Sequence, residues 1–99
     1  MVEQLEQIRL WVEGQIDEFI NKPDFWGKAF TEYLSEAGIE PNLETVLSMM
    51  VGMTYGCVVV QIHIEYQREM TGAENVMIKE LIKRRAFELR IHYVNNLYK

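Results

Sequence analysis

Leu5, Ile8, Val12, Ile16 and Phe19 recur at three- and four-residue steps, the spacing of one apolar helix face, and predict a helix from about Val2 to Asn21. Pro23 suits a first helical position, where an N–H would have no partner. Phe25, Trp26, Ala29, Phe30, Tyr33, Leu34 and Ala37 then form a broad apolar stripe running to Gly38, a natural residue just past a helix end. The link Ile39-Glu40-Pro41-Asn42 is short, and Asn42 is placed to cap a long third helix, predicted from about Leu43 to Met70. Thr71-Gly72 breaks that helix, and a last one runs from about Ala73 to Leu97. The pattern is that of one all-α, four-helix domain over residues 1–99.

The third helix dominates the chain. Val46 to Ile64 carries no formal charge, and Ser48, Gly52 and Gly56 form a small-residue ladder at four-residue spacing. Val46, Met50, Met53, Cys57, Val60 and Ile64 make one apolar line, and Leu47, Val51, Tyr55, Val58 and Ile62 another. A helix apolar around most of its circumference needs more than one partner face. Each mid-helix glycine costs roughly 1 kcal/mol relative to alanine, which close approach of a neighbouring backbone can return. Ser48, Gly52, Gly56, Val59 and His63 share one side, which is expected to be the tightest contact, with Ser48, Gly52 and Gly56 at a dimer interface. The last helix has two apolar stripes, Ile82/Ala86/Leu89/Tyr93 and Phe87/Ile91/Val94/Tyr98, one for its own domain and one for another subunit. These features predict a dimeric helical bundle, with the protein itself as partner.

Residues 58–66 also fit another pattern. Val58, Val60, Ile62, Ile64 and Tyr66 alternate with Val59, Gln61, His63 and Glu65, as in a β-strand. No second strand offers itself as partner, and a lone strand leaves its backbone groups unpaired, so helix is expected.

Composition narrows the classes of function. Residues 1–45 hold ten acids against three bases and residues 46–99 five against seven, for a net charge of -5. That balance argues against general nucleic-acid binding. The apolar segment would barely reach across a bilayer core, holds Gln61 and His63, and has no basic residue between Lys28 and Arg68, so a membrane span is not expected. With two glutamates in its first ten residues the chain does not open as a signal peptide, and a cytoplasmic protein is the default. Cys57, the single cysteine, reads as a buried, inert thiol on the apolar line. Met49, Met50 and Met53 read as core, although such residues also make adaptable surfaces.

Candidate chemistry is sparse. No Cys/His cluster has zinc spacing, and no glycine loop is built to cradle phosphate. Glu88 and His92 lie one turn apart with Asn95 on the same line, either as an acid–base or metal pair or as a solvated face. Glu32/Glu36 and Glu65/Glu69 are one-turn carboxylate pairs. Facing each other across a bundle they would make an oxygen-rich Mg²⁺ site, and Lys79, Lys83 and Arg84 downstream would neutralise a phosphate chain.

The helix order, the long apolar third helix, the acidic pairs and the basic last helix, from about Phe25 to Tyr93, resemble the all-α nucleoside triphosphate pyrophosphatases of the MazG-like group. That resemblance implies a dimeric helical core, a nucleotide substrate and a magnesium cofactor. The family signature is Glu-x-x-Glu followed on the next helix by Glu-x-x-Asp. Here the one Glu-x-x-Glu is Glu3/Glu6, with no Glu-x-x-Asp after it. Two functions therefore stand side by side: a divergent Mg²⁺-dependent pyrophosphohydrolase, and a non-catalytic helical module that assembles with itself.

Overall fold

A computed structural model describes residues 2–97, with side chains through Asn95, and contains helices alone: α1 (Val2–Asn21), α2 (Pro23–Glu36), α3 (Leu43–Tyr66) and α4 (Gly72–Leu97). Tyr98, the last member of the predicted outer stripe of α4, lies outside the described residues. The passage 58–66 is helix, because its residues complete the apolar face of α3 and no strand exists among the described residues to pair with it.

α1 and α4 run side by side in one direction. Arg68, just ahead of α4, meets Gln4, Arg85 meets Glu13 and Asp17, and Tyr93 meets Phe19. α3 runs against them, its Glu44 reaching Arg90 near the end of α4 and its Tyr66 stacking on Trp11 of α1. These three helices make an elongated bundle, and with α2 the whole measures 44 × 25 × 19 Å. The short α2 closes the end where α1 stops and α3 starts. Its Trp26 and Phe30 rings meet Phe19, and Gly27 lies against Tyr93, where an added Cβ would stand 3.7 Å from the ring.

The core takes Ile8, Val12, Ile16 and Phe19 from α1, Phe30 and Leu34 from α2, Leu43, Val46, Leu47, Met50, Val58 and Ile62 from α3, and Ile82, Leu89 and Tyr93 from α4. Ile78 and Leu81 join it outside the predicted stripes, while Phe25 and Tyr33 of the predicted α2 stripe are 62% exposed, because that helix is covered on one side only. One polar contact inside it arises directly from the sequence. The Phe19 carbonyl would accept from the N–H of residue 23 in a continuing helix, but residue 23 is proline and has none. The buried Tyr93 hydroxyl donates to that carbonyl instead, at 2.7 Å. Burial pushes the Tyr93 phenol well above its ordinary range, so it stays a donor. Tyr93→Phe should cost about 1–3 kcal/mol by leaving the Phe19 carbonyl unsatisfied. Equal urea midpoints for wild type and variant would refute this.

Helix ends depart from expectation at one place. Gly38 carries the left-handed backbone expected of it (φ 79), and Asn42 caps α3 in a reciprocal box with Thr45. α3, however, stops at Tyr66 rather than Met70, with Gln67 in left-handed backbone. Contacts made at the start of α4 account for the early stop. Thr71 and Glu74 form a capping box there, the Thr71 N–H donating to the Glu74 carboxylate and the Glu74 N–H to the Thr71 hydroxyl. Arg68 turns back to grip both oxygens of Glu74, at 2.9 and 2.7 Å, and donates to Gln4 at 2.8 Å. A helix continued to Met70 would carry Arg68 away from these partners.

Candidate functional site

Seven buried positions of α3 (Leu43, Val46, Leu47, Met50, Thr54, Val58 and Ile62) define its inward side. The rest of its surface splits into two apolar regions on opposite flanks. On the first flank Met49, Met53, Gly56, Val60 and Ile64 recur at three- and four-residue steps, with Cys57 beside Gly56. Val60 is 56% and Ile64 65% exposed. α2, about 21 Å long and joined to α3 at its start, shelters the first turns of this stripe and then runs out. The predicted apolar line Val46–Ile64 is therefore buried at Val46 and Met50, half-buried at Met53, and open at Cys57, Val60 and Ile64. Cys57 is exposed, not the buried thiol that its place on that line predicts.

The second flank is the seam between α3 and α4. Val51, Gly52, Tyr55, Ile82 and Ala86 wall a trough of about 520 Å³ with Lys79 and Lys83 on its rim. It continues past Val51, Gly52 and Ala86 into a neighbouring hollow of about 560 Å³ beside Leu47, Ser48, Phe87 and Arg90.

The small-residue ladder winds between the two flanks. Ser48 and Gly52 are exposed and border the seam, while Gly56 belongs to the outer stripe. A Cβ added at Gly52 or Gly56 would meet nothing within 4 Å. The tight contact expected along Ser48, Gly52 and Gly56 is thus not made within the chain. His63 on the same side is exposed as well. On α4, Phe87 (70% exposed), Ile91 and Val94 face outward, as the second stripe predicts.

The charged residues are distributed differently from a metal centre. Glu32 and Glu36 are exposed on α2, near the end that leads into α3. Glu65 is exposed at the far end of α3, roughly 33 Å along the axis from Leu43. Glu69 lies in the connection after α3, so Glu65/Glu69 is not a one-turn helical pair. Within one protomer the four carboxylates share no site and do not fit a Mg²⁺ ion. Among the described residues no group of three or more His, Cys, Asp and Glu could hold a metal. Lys79 and Lys83 do come together on the trough rim, whereas Arg84, roughly a quarter turn round α4, does not line it.

The Glu88 carboxylate accepts twice from Arg85 at 3.1 Å, which lowers its pKa, and His92 Nδ1 lies 2.9 Å from the Glu88 carbonyl. Arg85 also holds Glu13 at 2.6 Å and Asp17 at 2.7 Å, so one guanidinium ties three carboxylates across α1 and α4. The Arg68–Glu74 pair is the buried counterpart. With Arg68 and the Thr71 N–H donating to it, Glu74 is held at about 2, far below the ordinary 4.5. Sequence spacing alone could have revealed this group, since Thr71-x-x-Glu74 is a capping-box pattern.

α3 is long and apolar enough to cross a membrane by length and composition, and 33% of its most apolar window is buried among the other helices. Comparison of the chain with known protein families, with curated proteins and with solved structures finds no match.

Proposed function

We propose that the chain is a helical assembly module, and that the outer stripe of α3 is covered by a second copy of itself. One observation carries this reading. No Asp, Glu, Lys or Arg stands between Glu44 and Glu65, although half the circumference of α3 there is uncovered. Leaving the exposed parts of Val60 and Ile64 in water forgoes about 1–2 kcal/mol for each side chain. A two-fold contact recovers this twice, because the same patch is used on both partners.

The stripe is self-complementary when two copies of α3 lie antiparallel. Met49 then faces Ile64 of the second copy, Met53 faces Val60, and Gly56 faces Cys57. Large side chains meet at the ends, and the smallest ones stand at the crossing, where two backbones approach most closely. Antiparallel packing also sets the two helix dipoles in opposition. Arg68 and Glu74, Arg85 and its three carboxylates, and Tyr93 hold the protomer in shape behind this surface.

The crossing gives a direct test. Under mild oxidation the exposed Cys57 thiols of two copies, side by side at the axis, should form a disulfide-linked dimer. Its yield should not change as the protein is diluted through the micromolar range, and sedimentation of the reduced protein should show a dimer. A monomer at high micromolar concentration with no cross-link overturns the reading. Pyrophosphate release from nucleoside triphosphates with Mg²⁺, joined to metal-induced stabilisation, would instead favour the pyrophosphohydrolase that the family resemblance implies.

A further inference from the structure

The trough between α3 and α4 is a separate surface from the outer stripe. Val51 and Tyr55, which wall it, lie roughly 140–180° around α3 from Val60, so a second copy centred on the stripe leaves these walls open, while Gly52, roughly 80° from Val60, borders both surfaces. Its floor is apolar and its depth comes from small residues, Gly52 on one helix and Ala86 on the other. The charge at its rim is one-sided. Arg9, Lys22, Arg68, Arg85 and Arg90 each have a carboxylate partner, whereas Lys79 and Lys83, like Lys28 and Arg84 elsewhere on the surface, have none among the described residues, and of these four only Lys79 and Lys83 line an apolar hollow together. Lys79 Nζ sits 6.0 Å from the centre of the Tyr55 ring, and the Tyr55 hydroxyl donates to Asn75 Oδ1 at 2.7 Å, which fixes the ring as a wall. At the opposite end Arg90 is neutralised by Glu44 at 2.6 Å. The seam therefore has a cationic end and a neutral end, with a hydrocarbon-lined channel of roughly 16 Å between the levels of Tyr55 and Glu44.

From this polarity we infer that the α3/α4 trough binds a single-chain anionic amphiphile, its carboxylate held by Lys79 and Lys83 and its alkyl chain lying over Gly52 and Ala86 towards Leu47. Lysine suits the rim, because its flexible stem lies along apolar surface while the ammonium tracks the head group. A nucleotide is a poor fit. Beside Lys79 and Lys83 the walls offer one aromatic ring, Tyr55, already faced by Lys79; Phe87 belongs to the far hollow, and the floor is aliphatic.

Decanoate, below the concentration at which it forms micelles, is the probe. Titration into the full-length protein should shift the amide resonances of Gly52 and Ala86 and saturate. Decyltrimethylammonium, with the same chain and opposite charge, should bind at least about tenfold more weakly, as should decanoate to the Lys79→Met/Lys83→Met variant. Gly52→Leu places a side chain in the open trough and should abolish the shifts while the helical circular dichroism is unchanged. Equal affinity for the anion and the cation overturns the inference, and so does saturable binding that survives Gly52→Leu. Sedimentation of the same samples reports the dimer separately, so failure of one proposal is distinguishable from failure of the other.

Discussion

With two copies meeting as proposed on the outer stripe of α3, Val60→Glu should yield a folded monomer. Val60 is 56% exposed in the protomer, so a glutamate there remains hydrated and the three-helix core behind it is undisturbed. In the antiparallel arrangement proposed above the same carboxylate would face the apolar Met53 of the second copy. Burying an unpaired charge costs several kcal/mol, and the symmetric contact incurs that cost twice. A loss of at least about a hundredfold in dimer affinity corresponds to roughly 3 kcal/mol and is the minimum expected. Sedimentation equilibrium measures it, with circular dichroism as the control for folding. A variant that dimerises as tightly as the wild type would remove the outer stripe from the interface. Phe87→Glu, on the exposed face of α4, would then be the next variant to compare.

Glu74→Gln should be the most damaging change of a single functional group, and its effect should depend on pH. Glu74 is 3% exposed and its carboxyl sits at about 2 instead of 4.5. A carboxylate with a depressed folded-state pKa adds stability above its unfolded value and loses it as pH falls through the folded value. For this group the contribution is complete above about 4.5 and disappears progressively between there and about 2. The full shift corresponds to about 3 kcal/mol. Arg68 keeps 29% of its side-chain surface in solvent, and screening reduces the effect to about 2–3 kcal/mol. Glutamine retains most of the helix cap, so the loss is that of charge rather than of the capping box. Urea unfolding of both proteins should differ by this amount at pH 7 and converge towards pH 2. A difference independent of pH would show that Glu74 stabilises the turn by shape alone.

The local rules along this chain are strong enough to be read residue by residue. The α1 face Leu5/Ile8/Val12/Ile16/Phe19 has the period of a helix, and four of its five members are fully buried. Pro23 opens α2, Gly38 terminates it and Asn42 caps α3, because each conformation is dictated by the residue that adopts it. The end of α3 was less legible. Nothing within Gln67–Met70 forbids a helix, and the helix stops there because Arg68 finds Glu74 and Gln4, the latter 64 residues away. The carboxylate pairs do not converge within one protomer, for a related reason. Spacing places Glu32 beside Glu36, but only the path of the chain shows that α2 meets the opposite end of α3 from Glu65.

The sequence by itself determined four helical segments, most of their caps, and a third helix too apolar for one partner. Period, proline, glycine and capping residues act within a few positions of themselves, so their consequences are local and readable. The tertiary structure alone decided which sides of α3 are covered. The Ser48/Gly52/Gly56 ladder has the same four-residue spacing whether a backbone packs on it or water does. It lies open because α2 is only 14 residues long and because Gly52 and Ala86 bring no bulk to the seam between α3 and α4. The same lack of bulk leaves Lys79 and Lys83 over an apolar trough, with no carboxylate among the described residues to meet them.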